Sequence, residues 1–402
     1  MRKKQLIAVV GAGLASAIAI GGTAFADPSG SGSQSGPFSL TGVGSDTIQD
    51  VWNAFATSID GTTSNKIASY NATGANTLPS NLKASGCTSL PRPNGSGSGR
   101  KALISSLNNS ATTVTQPDGT TSASTNYNGC IDFARSSGLD ITTADGGTPL
   151  TYVPFADDAV SYAVTRTSSI PRTLSIIDLQ HIYTCDANYV GTGSNNYTGS
   201  GANNGVNPTG WIWTPFLPQA GSGTRSYWES KMGITDANVV AGNYPCIGNG
   251  AYTKNSVVSV AEEHTADWLK DTWTVPFSIP VYLNQTVLLV PDRRGNSVLG
   301  TVAGTGDLLV SNAGAGTPYG SLTEALRPPA SFNFQRHVYD IVPRVNIDPA
   351  APGYNAADAK TILYTSVFGP SGSVCSDTAN IAKYHFLPVA ADRSCGAVTD
   401  HT

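Results

Sequence analysis

The chain has 402 residues, with 23 Lys and Arg against 27 Asp and Glu, a formal net charge of −4 and only 12% charged residues. Such a sparsely charged, mildly acidic chain excludes nucleic acid and anionic membrane surfaces as natural partners. Its length exceeds what one continuous hydrophobic core supports, so two domains are expected.

In chain order, Arg2, Lys3 and Lys4 precede an apolar run from Leu6 to Ile20 that ends in Gly21-Gly-Thr-Ala-Phe-Ala26. This pattern predicts a Sec-type signal peptide over residues 1–26, cut before Asp27, and hence a secreted protein. No cysteine stands at the cut to take a lipid, so the chain is expected to be extracellular and free of a lipid anchor. The leader holds three basic and no acidic residues, leaving 20 basic against 27 acidic in the mature part. Residues 27–37, rich in Gly and Ser, read as a spacer that cannot bury enough apolar surface to fold.

Beyond the spacer, short apolar runs alternate with helical patterns: Val51 to Ile59, Ala102 to Leu107, the strand-like Tyr152 to Phe155 and Val160 to Val164, Ile176 to Tyr183, and Pro280 to Val290. That alternation predicts a mixed α/β architecture. Gly191 to Pro208 and Ala313 to Pro318 read as long polar loops. In an exported chain without a C-x-x-C pair, six cysteines read as disulfides. Proximity suggests Cys87 with Cys130, Cys185 with Cys246 and Cys375 with Cys395, among the several connectivities open to six cysteines.

Three loops carry the chemistry: Gly42-Val-Gly-Ser-Asp-Thr47, Asn94-Gly-Ser-Gly-Ser-Gly99 and Ala220-Gly-Ser-Gly-Thr-Arg225. Each ends where a helix is expected. Asp46 and Gln49 have capping-box spacing ahead of Val51, Trp52 and Phe55. Ser98 or Gly99 precedes Leu103, and the third helix is expected from about Thr224 to Met232, ending at Gly233. Helix starts leave amide hydrogens without partners and carry partial positive charge. Three of them converging would make an anion site with little need of side-chain charge. Each loop taken singly also fits an ordinary capped helix.

Enzyme motifs are missing. Arg100 separates Gly99 from Lys101, which breaks the P-loop pattern. No G-x-S-x-G surrounds Ser96, Ser98 or Ser222. His181 reads as structural, Asp157 and Asp158 as a solvated or hinge pair, and Glu262-Glu263-His264 carries no metal spacing by itself. No cofactor is expected.

The ordered set Thr41-Gly-Val-Gly-Ser-Asp-Thr-Ile-Gln-Asp50, Arg92-Pro-Asn-Gly-Ser-Gly-Ser-Gly99, Ile131-Asp-Phe-Ala-Arg-Ser-Ser137, Tyr152-Val-Pro-Phe-Ala156, Leu179-Gln-His-Ile-Tyr183 and Gln219-Ala-Gly-Ser-Gly-Thr224 resembles the phosphate-binding proteins of Pst-type ABC transporters, especially their diverged Gram-positive branch. A weaker echo lies in Arg336-His-Val-Tyr-Asp-Ile-Val-Pro343. The resemblance implies a type II periplasmic-binding-protein fold, α/β, with two lobes, a ligand cleft and two crossover segments near Val153 to Ala156 and His337 to Val342. Lobe 1 would be residues 38–156 plus 337–402, and lobe 2 residues 157–336. It implies a monomer that captures a small oxyanion, phosphate first, for the permease of an ABC transporter, without catalysis.

Carried over by position, the ligand contacts are Ser45, Asp46 and Thr47 in the first loop, Ser96 in the second, and Gly221, Ser222, Gly223 and Thr224 in the third. Two departures stand out. The family places an aspartate where this chain has Ser137, and an arginine near Phe216, Leu217 and Pro218. Arg225 or Arg135 is expected to supply the missing cation, unless either is a salt-bridge residue. Asp46 is expected to accept the proton of the anion. Losing a charge-assisted hydrogen bond costs about 1.5–3 kcal/mol, or roughly one to two decades in affinity. A rival reading is a secreted surface or adhesion protein on the same fold, binding glycan or protein.

Overall fold

The computed structural model describes residues 27, 38–62, 66–80, 83, 86–141, 147–186, 213–254, 257–303, 334–389 and 392–402. The expected signal peptide, nearly all of the spacer and both long polar loops lie outside the described residues.

Ten strands form one mixed sheet: β1 (Leu40–Gly44), β2 (Ile67–Ser69), β3 (Phe133–Ser136), β4 (Leu150–Thr165), β5 (Thr214–Leu217), β6 (Gly248–Asn249), β7 (Trp273–Ser278), β8 (Ser297–Leu299), β9 (Gln335–Pro343) and β10 (Asp400–His401). Their order is β2-β1-β3-β9-β4-β7-β5-β6, with β8 and β10 also paired to β4. The outer pairs β1–β2, β1–β3, β5–β7 and β5–β6 are parallel, while the central pairs are antiparallel. The six longest helices among the described residues are α1 (Gln49–Thr62), α2 (Ser96–Asn108), α3 (Ile176–Tyr183), α4 (Gly223–Met232), α5 (Ile279–Thr286) and α6 (Ala359–Phe368). The α/β class read from the sequence is the class that forms.

β4 is buried along its whole length. A strand covered on both faces needs no apolar-polar alternation, which is why its sequence reads as a long run rich in Val, Ala and Tyr. Pro154 lacks an amide hydrogen, and the β4–β9 register slips beside it, between Val338 and Tyr339; proline in a strand is tolerated at such irregularities.

Buried apolar side chains form separate cores. One draws on residues 159–334, including Val160, Tyr183, Leu217, Trp228, Phe277 and Phe334. Two others, around Trp52, Phe55 and Phe368 and around Leu103, Tyr127 and Tyr152, draw on residues 38–156 and 338–386, joined by Val290. β4 enters both regions, with Val153 and Phe155 in one and Val160 and Tyr162 in the other. The stretches expected as crossovers lie within β4 and β9.

The disulfides are Cys87–Cys130, Cys185–Cys246 and Cys375–Cys395, the partners that proximity suggests. Each shortens the unfolded chain, an effect typically worth about 2–4 kcal/mol. Among the described residues, no helix is long and apolar enough to cross a membrane.

Candidate functional site

The first and third loops leave the carboxyl ends of the parallel strands β1 and β5, the usual ligand edge of an open α/β sheet, and the second loop meets them there. Gly44 bridges to Asn94. The Gly97 amide donates to the Gly221 carbonyl at 3.1 Å, joining the second loop to the third. Gly95 takes a φ of 88°, and a Cβ there would lie 2.5 Å from the Gly221 carbonyl oxygen, so both backbone conformation and space require glycine. A Cβ on Gly223 would strike the hydroxyls of Ser137 and Ser96 at 2.3 and 2.5 Å.

One half of this junction is made of neutral hydroxyls. Ser45 donates to Ser137 at 3.1 Å, the Ser96 and Ser137 hydroxyls lie 3.4 Å apart, and the Ser137 amide donates to the Ser96 hydroxyl at 3.1 Å. All three serines are buried.

The other half is charged. The Glu263 carboxylate reaches into the gap between the starts of α1 and α4, where its Oε1 accepts from the hydroxyls of Thr47 and Thr224, both at 2.5 Å. Arg336 donates to Thr224 at 2.7 Å and forms two bonds, 2.8 and 2.6 Å, with Asp158. Gln219 fixes this arrangement: its Oε1 accepts from the Glu263 amide at 2.8 Å and its Nε2 donates to Asn94 at 3.0 Å. His264 faces Asp46 through Nδ1 at 3.2 Å and lies edge-on to Phe277.

Electrostatics follow from burial. Burial, with the repulsion of Glu263 and Glu262, pushes Asp46 well above the usual carboxylate range. Burial also raises Glu263, but His264, Arg336 and its hydrogen bonds outweigh that and hold its carboxyl below the ordinary value. For His264, burial lowers the pKa despite the carboxylates around it, favouring the neutral ring. A cavity of about 280 Å³ borders this charged half, lined among others by Asp46, Asp50, Glu263, His264, Gln285 and Arg293.

The structure thus brings together Ser45, Asp46, Thr47, Ser96, Ser137, Gly221, Ser222, Gly223 and Thr224. Arg135 and Arg225 are not at the junction. Arg135 sits behind the first loop, donating to the carbonyls of Ser45 and Tyr70 and to the Ser69 hydroxyl. Arg225 pairs with Glu229 and Asp236 and donates to the Pro218 carbonyl. Both are used structurally, and among the described residues the arginine that reaches the junction is Arg336, on β9.

Other expectations change too. The Asp46–Gln49 capping box does not form, because Asp46 turns to His264 and the Gln49 side chain accepts from the Ala72 amide. α2 starts at Ser96, earlier than expected, behind Gly95. The third helix runs from Gly223 to Met232, is capped by Ser222, and ends at Gly233 with a φ of 71°. Asp157 and Asp158 are buried rather than solvated, paired with His337 and Arg336. Several loop amides are already partnered: that of Ser45 donates to Arg135, that of Gly97 to Gly221, and that of Arg225 to the Ser222 hydroxyl. Sequence reading set Glu262-Glu263-His264 aside as carrying no metal spacing and met Arg336 only in a weak echo, assigning none of Glu263, His264 and Arg336 to the site; the signal available was charge clustered at 262–264 in a chain poor in charge.

No protein-family model matches the chain, and no curated protein matches it in sequence. Among solved structures it is similar to an ABC-type phosphate transport receptor from Vibrio cholerae, at 13% identity and a TM-score of 0.43, covering 87% of this chain and 100% of that one. It is also similar to a human phosphate-binding apolipoprotein, at 13% identity and a TM-score of 0.41 over 88% and 92% of the two chains. A phosphate-binding protein from Stenotrophomonas maltophilia follows, at 12% identity and a TM-score of 0.37 over 90% and 96%.

Proposed function

We propose that the chain is a secreted solute-binding protein whose cleft captures a small tetrahedral oxyanion, phosphate first, and that the structure is a closed form in which Glu263 occupies the anion seat. One observation carries this reading. A carboxylate is itself an oxyanion, and here it is held between two helix starts by two threonine hydroxyls. Helix starts and rotatable hydroxyls are what an oxyanion requires.

The lobes in this reading are residues 38–156 plus 337–402 and residues 157–336, hinged at β4 and β9; the separate cores support that division. Parting the lobes carries Glu263, Thr224 and Arg336 away from Thr47 together, and phosphate that displaces the Glu263 carboxylate from Thr224 shifts the population toward a ligand-bound closed form. A permease would read that form.

The test is calorimetric titration of phosphate, sulfate, arsenate and molybdate into the wild type and Glu263→Ala. A site available in only a fraction of molecules binds weakly in proportion, so Glu263→Ala is expected to tighten phosphate by about tenfold or more. Binding of no oxyanion by either protein defeats the reading.

A second reading, a secreted surface protein that binds glycan or protein on this fold, is favoured by the same junction being closed through Gly97, Gly221 and Glu263. Retention of the protein on isolated cell wall, together with silence toward oxyanions, would select it.

A further inference from the structure

We infer that Asp46, Glu263 and His264 form a binding site for one divalent transition-metal ion, with zinc the best chemical match. The inference stands independently of oxyanion capture, although Glu263 serves both sites.

The residues come from two distant segments, and one ligand atom of each lies within 4.8 Å of the others. All three are buried, at 5%, 2% and 5% exposure. Each also presents a buried atom without a hydrogen-bond partner: Asp46 Oδ1, Glu263 Oε2 and His264 Nε2. Glu263 divides its roles, because Oε1 accepts both threonine hydroxyls while Oε2 stays unpartnered.

Adjacent buried carboxylates are compensated either by a shared proton or by a cation. Arg336 does not supply it alone, since it is bound to Asp158. His264 adopts a left-handed backbone with a φ of 65°. Such conformations are costly for residues other than glycine and collect at functional sites. Gln285 holds its carbonyl at 2.9 Å, and Phe277 packs against its ring.

An imidazole with two carboxylates is a mixed nitrogen and oxygen set. Calcium and magnesium prefer oxygen alone, whereas zinc accepts this combination and leaves one position open. The bordering cavity of about 280 Å³ gives an ion a route, its lining richer in carboxylates (Asp27, Asp46, Asp50, Glu263) than in cations (Arg293).

The test uses the full mature protein, stripped with chelator and titrated calorimetrically with zinc, with calcium and with phosphate separately. One equivalent of zinc is expected, bound far more tightly than calcium. Asp46→Asn and His264→Gln are each expected to weaken zinc by about 100-fold or more, beyond the 10–100-fold typical of outer partners. His181→Gln, at a surface His–Asp pair, should change nothing. Should His264→Gln fail to fold, X-ray absorption on the zinc-loaded wild type decides, with one imidazole nitrogen and carboxylate oxygens at about 2.0–2.2 Å expected. No zinc binding, or binding unaffected by both variants, overturns the proposal. Zinc binding without any oxyanion binding would leave this site standing and remove the oxyanion reading; oxyanion binding without zinc would do the reverse.

Discussion

The two halves of the loop junction solve burial differently. Ser45, Ser96 and Ser137 satisfy one another through neutral hydroxyls, whose loss is cheap because nothing charged is left behind. Thr47, Thr224, Glu263, Arg336 and Asp158 form a chain of ionic and charge-assisted bonds. There each partner exists to neutralise the next, and removing one strands another in low dielectric. The contrast teaches that the hydroxyl half shapes the junction, while the charged half sets the cost of burying it.

The largest expected effect lies in the charged half. Arg336→Met strands the fully buried Asp158 and should lower unfolding free energy by about 3–5 kcal/mol in urea titrations; a loss below about 1 kcal/mol would erase the distinction between the halves. Gly223→Ala drives a methyl group into the Ser137 and Ser96 hydroxyls and should cost about 1–3 kcal/mol through overpacking, read as a lowered Tm. Ser137→Ala, in the neutral half, should cost only about 0.5–1.5 kcal/mol by the same measurement.

A smaller, pH-dependent effect sharpens the contrast. Asp340 lies on β9 with Arg336, and burial pushes it well above the usual range, against weaker pulls from Trp52 and Arg135. Its folded pKa exceeds its unfolded one, so its contribution is full below about pH 3.9 and is lost as pH rises through the folded value. Asp340→Asn should flatten that decline in a series of Tm against pH; a slope identical to the wild type would show that Asp340 does not titrate this way.

The local parts of this account were legible in sequence. Glycine and hydroxyl loops, the end of α4 at Gly233 and the proximity of the cysteines are short-range signals. Thr47 meets Glu263 across 216 positions and Thr224 meets Arg336 across 112. No local pattern encodes such meetings, because they depend on how β4 runs from one region of the core to the other. Arg135 and Arg225 misled for the same reason, since standing beside a loop says nothing about which side a long side chain takes. The capping-box spacing at Asp46 yielded to a tertiary partner, His264.

The central claim is that Glu263 stands where an external anion would. A crystal structure of Glu263→Ala grown in phosphate tests it directly. Phosphate oxygens within about 2.7–3.2 Å of the Thr47 and Thr224 hydroxyls and of Arg336 are the predicted result; an empty, collapsed junction, or phosphate bound only elsewhere, would contradict it.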